Sequence, residues 1–172
     1  MLLAEPNTPD SLSRKRCLAV NAAFLQEIKD DNRFLDELLL ATRDALTHSN
    51  PWSVNVRALL ELLRRLQNHL ASHFSLEETF GYCDDAIDAP VEWSAEADAY
   101  RSQHASLYLD VCDMVEVVEG LLDHESISSF ERSMQRLSSS FMVFYRRIKQ
   151  HDAGEKELVD AVLVGRKGGT MC

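Results

Sequence analysis

Apolar residues recur at spacings of three and four along four long stretches of this chain, the pattern of amphipathic helices. The first stretch covers residues 12–46, where Leu25, Ile28, Leu35, Leu39, Thr42 and Leu46 share a face and no Gly or Pro interrupts. Asp10 or Ser11 stands where a cap is needed. His48-Ser49-Asn50-Pro51 breaks the pattern, and Asn50 or Ser53 is placed to cap a second helix over residues 54–80. Its stripe of Leu59, Leu60, Leu63, Leu66 and Leu70 leads into His73, and Gly81 with the run 84–90 ends it. A third helix is predicted over 91–122, through Ala97, Tyr100, His104, Leu107, Val111, Met114, Val115, Val118 and Leu121. A turn at 123–126 precedes the fourth, over 127–164, through Leu137, Phe141, Phe144, Tyr145, Ile148, His151, Glu155, Leu158, Val159 and Val162. Gly154 costs this helix about 1 kcal/mol relative to Ala and is expected to mark a bend.

The flanks lack this periodicity. Residues 1–11 carry Pro6 and Pro9 and read as a flexible leader; residues 165–172 read as a flexible Gly-rich tail. No stretch has a strand pattern and none repeats. Four long helices on short links predict an all-α fold, an up-down-up-down antiparallel four-helix bundle over residues 12–164.

Composition narrows the classes. At 172 residues the chain is large enough for one domain with a sizeable core. A net charge of −10 argues against nucleic acid as a partner, because phosphate binding needs a basic surface. No apolar run reaches the roughly 18 residues that span a membrane, and residues 1–10 lack the form of a secretory signal. Cys17, Cys83, Cys112 and Cys172 are scattered without a CxxC pair, which reads as reduced thiols in a cytoplasm. Cys17 and Cys112 fall in helical patterns as small core residues, and Cys172 is expected to be exposed.

Candidate chemistry sits on the apolar stripes themselves. His73–Glu77, His104–Tyr108 and His151–Glu155 each place an imidazole one helical turn before a residue able to bind metal. Leu62, Leu66, Leu70 and Phe80 share the His73 face, so that face points inward. Buried polar groups without partners cost about 2–7 kcal/mol each. A plain His–Glu hydrogen bond answers that cost, and so does a metal ion. Counted from the links at about 1.5 Å per residue, the second and third helices bring His73 and His104 level within about 3 Å. By the same count His151 misses His104 by about 9 Å, which calls for a longer link or a distorted segment near Ser138-Ser139-Ser140.

His73-Phe74 followed by Glu77-Glu78, then His104 with a partner four residues on, then His151 with Glu155, resembles the hemerythrin-like (HHE cation-binding) domain over residues 22–164. The resemblance implies two bridged non-haem irons per chain. It implies His73 as a terminal ligand of one iron, His104 and His151 as ligands of the other, and Glu77 and Glu155 as bridging carboxylates. Iron suits such oxygen and imidazole donors, with manganese or zinc as alternatives. The chain departs from the family twice. Asn32 or Asp31 stands where a first-helix His is expected, and Tyr108 stands where a second His follows His104. Tyr108 is expected to bind as a phenolate, while Asp31 or His69 is placed to fill the first-helix vacancy. A phenolate stabilises a ferric ion and directs the site toward redox, peroxide or NO chemistry, or toward signalling.

The expected function is therefore binding or sensing of O2, NO or peroxide. A bundle that has lost its metal and serves as a regulatory or protein-interaction module is the alternative, and a mononuclear or zinc-type site is a third. No nucleophile–base pair, phosphate-cradling glycine loop or substrate pocket is recognisable, so any catalysis rests on the metal. His48 and His124 sit at helix ends and Asp30-Asp31 reads as a solvated pair. His69 reads as surface or supporting, Glu78 as facing solvent or a neighbour, and the acidic run 84–96 as a solvated loop.

Overall fold

The computed structural model describes residues 30–47, 54–79, 91–122 and 127–168. These form four helices: α1 (residues 30–46), α2 (Val56–Thr79), α3 (Val91–Leu121) and α4 (Ile127–Gly168). No strand occurs among the described residues, and no helix there is long and apolar enough to cross a membrane. The chain divides into two compact units, Met1–Phe34 and Leu35–Cys172, and the helices pack together within the second. The leader expected over residues 1–11 and the helix start expected at residue 12 lie outside the described residues. So do His48, His124, Cys17, Cys83 and Cys172.

The core follows from the spacing. Leu59, Leu63, Leu66 and Leu70 of α2 are buried, and the same alternation of four and three residues carries on through His73 and Glu77. In α4 the buried series is Met134, Leu137, Phe141, Phe144, Ile148, His151 and Leu158; in α3 it runs through His104, Leu107, Val111, Met114, Val118 and Leu121. Leu35, Leu38, Leu39 and Leu46 complete the cluster from α1. A period of seven residues per two turns keeps one seam facing its neighbours. Burying that seam supplies most of the helices' stability, since propensity alone is weak. Imidazoles and carboxylates placed on the seam are therefore carried inward with the leucines.

Polar details close the helix ends and the seams. Asn55 caps α2: its carboxamide oxygen accepts the Ala58 N–H at 3.1 Å, while Asn50 and Ser53, the expected caps, lie outside the described residues. The buried Thr42 hydroxyl donates to the Leu38 carbonyl at 2.8 Å. Arg64 of α2 pairs with Glu119 of α3 at 2.8 Å, and Gln67 donates to the Cys112 thiol at 3.1 Å. Arg147 of α4 bridges Asp110 and Ser106 of α3, and Lys149 reaches Asp36 of α1 at 2.7 Å. α4 is continuous through Ser138–Ser140, where the Ser139 hydroxyl donates to the Gln135 carbonyl within the helix, so the expected distortion is absent. α4 also continues through Gly154 and ends at Gly168, beyond the expected limit of 164.

Candidate metal centre

Five of the six ligand candidates converge in the core. His73 and Glu77 lie one turn apart on α2, with His73 Nε2 3.0 Å from Glu77 Oε1. The other Glu77 oxygen, Oε2, points across to α3, 3.5 Å from His104 Nε2. Glu155 of α4 places its Oε1 3.5 Å from His104 Nε2 and 3.5 Å from His151 Nε2. The two imidazoles meet edge to face, their centroids 5.0 Å apart. One donor atom from each of Glu77, His104, His151 and Glu155 lies within 4.8 Å of the others.

Three of these four donors are oriented but unpaired. Glu77 Oε2, His104 Nε2 and both ring nitrogens of His151 are buried with no hydrogen-bond partner. A hydrogen-bonded core would leave few such atoms, and a cation accepts all the inward ones at once. Donors bound at about 2.1 Å around one tetrahedral ion stand about 3.4 Å apart. Three separations here are 3.5 Å. Two imidazoles and two carboxylates form a set of borderline and hard ligands. The residues present fit a metal ion.

Protonation follows from the same crowding. Burial raises the Glu77 carboxyl from 4.5 to about 7, against the pull of His73. Burial also acts on Glu155, but His104 and His151 beside it outweigh that effect and leave it lowered. Burial would lower His104, yet Glu155, Glu78 and Glu77 around it raise it above 6.5. Burial brings His151 down to about 4, helped by the neighbouring imidazoles. His151 is thus a neutral ring at pH 7, the form that binds metal.

Tyr108, the sixth candidate, is not brought to the cluster by any bond or ring contact among the described residues. It packs against the leucine core, and its hydroxyl is raised by burial and by Cys112 one turn on. Cys112 is half-buried and bonded to Gln67, so it serves as more than a small core residue. His69 stacks on His73 at 6.3 Å, as a neighbour of the cluster. Asp31 and Asn32 belong to the unit Met1–Phe34.

Four residues not singled out as ligands complete the surroundings. Phe74 lies flat on His104, centroids 4.3 Å apart and planes 7° from parallel, and meets His151 edge-on at 5.9 Å. Glu78 reaches His104 Nδ1 at 3.0 Å. Tyr100 meets His151 edge-on at 5.9 Å, and a Cβ on Gly154 would collide with its hydroxyl and ring. Gly154 therefore makes room for Tyr100. Asp152 keeps a buried Oδ1 without a partner while its Oδ2 lies 3.6 Å from Lys149; burial raises it to about 6. Doubled Glu77-Glu78 and the costly helical Gly154 were the available sequence signals for Glu78 and Tyr100. Phe74 stood in the motif, and Asp152 had no signal.

Fold and site together define a four-helix bundle with a buried His/Glu cluster able to hold a metal ion. Compared with protein-family models, curated proteins and solved structures, the chain matches none.

Proposed function

We propose that this protein is a hemerythrin-like metal protein, its helices running up-down-up-down and antiparallel. Its core holds a non-haem di-iron centre that binds or senses O2, NO or peroxide. The observation that carries this reading is the set of inward-facing, unpartnered donors contributed by α2, α3 and α4 to one buried point. The antiparallel course is supported by the links between helices. Rising positions on α2 (Arg64, Gln67, Glu78) meet falling positions on α3 (Glu119, Cys112, His104).

His104 and His151 would hold one iron and His73 the other, with Glu77 and Glu155 shared between them. Tyr108 is left out of this set because it packs against the leucine core, with no bond or ring contact to the other donors among the described residues. Bound iron supplies open coordination positions and a change of oxidation state, which is the chemistry small diatomic ligands and peroxide require. The protein's own part is to keep the site dry. Phe74 shields the His104 face and Tyr100 the His151 edge. The scattered cysteines support a cytoplasmic setting.

A centre with a single cation is the second reading, favoured by the 3.5 Å separations that suit one tetrahedral ion such as zinc. Anaerobic loading with ferrous iron followed by exposure to air separates the readings. A di-iron centre gives a visible charge-transfer band and two irons per chain. One metal per chain favours the single site. A colourless, metal-free protein of equal stability rejects both and leaves a helical module acting through protein contacts.

A further inference from the structure

We propose that Glu78 is a positioning residue: its carboxylate accepts the Nδ1 proton of His104 and fixes the tautomer whose Nε2 lone pair faces Glu77, His151 and Glu155. The consequence for metal affinity rests on the metal-binding reading above; the tautomer itself does not.

His104 is gripped at both ring nitrogens by consecutive residues of α2. Glu78 Oε1 stands 3.0 Å from Nδ1, within hydrogen-bond reach. Glu77 Oε2 and Glu155 Oε1 stand 3.5 Å from Nε2, and Nε2 has no hydrogen-bond partner. A neutral imidazole carries one proton, and the Nδ1 edge offers it the nearer acceptor, at 3.0 Å against 3.5 Å. Placing that proton on Nε2 would turn the Nδ1 lone pair against a carboxylate at 3.0 Å, an anion facing a lone pair. Phe74, stacked at 4.3 Å, fixes the plane of the ring, and Glu78 fixes which nitrogen carries hydrogen.

The burial of the partners suits this division of labour. His104 is inside, while the Glu78 side chain is 49% exposed and keeps part of its hydration. Glu78 thus anchors the ring from the rim of the core without itself becoming an unpaired buried charge. A metal-bound imidazole commonly donates its other N–H to a carboxylate, and removing such a partner typically weakens metal affinity 10–100-fold. Here the carboxylate is supplied by the residue next to Glu77 on α2, and the imidazole by α3, so the bond also ties the two helices together at the centre.

The test compares full-length wild type, Glu78→Gln and Glu78→Ala. Long-range proton–nitrogen correlation on metal-free protein, at a pH above the His104 titration, reports which ring nitrogen is protonated. Equilibrium titration with ferrous iron reports affinity. Wild type and Glu78→Gln are expected to be protonated at Nδ1, because the amide oxygen still accepts. Glu78→Ala is expected to shift the proton toward Nε2 and to lose 10–100-fold in iron affinity, with a smaller loss for Glu78→Gln. Persistence of the Nδ1 proton in Glu78→Ala, or equal iron affinity in all three proteins, overturns the proposal. Wild type that takes up no iron rejects the metal-binding reading instead, and the tautomer measurement then decides the role of Glu78 alone.

Discussion

His151 is almost wholly buried, is neutral at pH 7, and has no hydrogen bond at either nitrogen. Such a ring destabilises a protein that has no use for it. Replacement of a buried, unsatisfied polar group by an apolar one of similar size is often neutral or stabilising. His151→Leu is therefore expected to raise the melting temperature of the metal-free protein by about 2–8 °C, the equivalent of about 1–2 kcal/mol at this chain length. The same variant should lose ferrous iron binding. A lowered melting temperature without metal would show that the imidazole earns its place structurally. The inward position of His73, Glu77, His104, His151 and Glu155 was legible in the sequence because each occupies the seam of its own helix. Glu78 was not, because it lies off that seam and acts on a neighbouring helix, which periodicity within one helix does not reveal. Tyr108 and Tyr100 both lie one turn from His104, and spacing alone does not choose between them. Gly154 is what seats Tyr100, since a Cβ there would collide with its ring.

At the scale of elements, Asn55 holds the start of α2 through its bond to the Ala58 N–H. Asn55→Ala should cost about 1 kcal/mol, read as a lower urea midpoint at unchanged slope; no change would remove Asn55 as the cap. Gly154→Ala sets helix propensity, a gain of about 1 kcal/mol, against the displaced Tyr100 ring, a loss of about 0.5–1.5 kcal/mol. Its net effect on stability should be small, while His151 becomes open to chemical modification, as it should in Tyr100→Ala. Unchanged modification rates in both variants would show that Tyr100 does not cover the site. The existence and approximate limits of α2, α3 and α4 were legible from the apolar spacing, and so was the level meeting of α2 with α3 at His104; the height of α4 was not. Residue counting from the links set His151 about 9 Å from His104, assuming that helices begin level at a turn. The Arg147 bonds to Asp110 and Ser106 instead set α4 against α3, and His151 arrives beside His104 without any break in the helix. A length count from the links takes no account of such side-chain pairing.

For the whole molecule, the crowded carboxyls and imidazoles predict an unusual pH dependence. Glu77 is raised from 4.5 to about 7 and Asp152 from 3.8 to about 6. Each holds a proton in the folded state after the unfolded chain has released it, so their contribution to stability is lost as pH rises through those ranges. His104, raised above 6.5, acts with the same sign at higher pH. His151, lowered from 6.5 to about 4, opposes them, adding stability as pH rises across that interval. Glu155 is lowered and acts only in acid, below 4.5. The three raised groups outweigh the one lowered imidazole, and the metal-free protein should melt at a higher temperature at pH 5 than at pH 8. A bound cation requires these donors deprotonated and reverses the trend, so the iron-loaded protein should gain stability from pH 5 to pH 7. Parallel trends with and without iron would contradict this account of the core. Whether the inward donors of α2, α3 and α4 grip a metal is read from metal content per chain. Wild type and His104→Leu/His151→Leu are loaded with ferrous iron under anaerobic conditions, dialysed and analysed. Two irons per wild-type chain and almost none in the double variant are expected. Equal content in the two proteins, or none in either, would contradict the metal-binding reading.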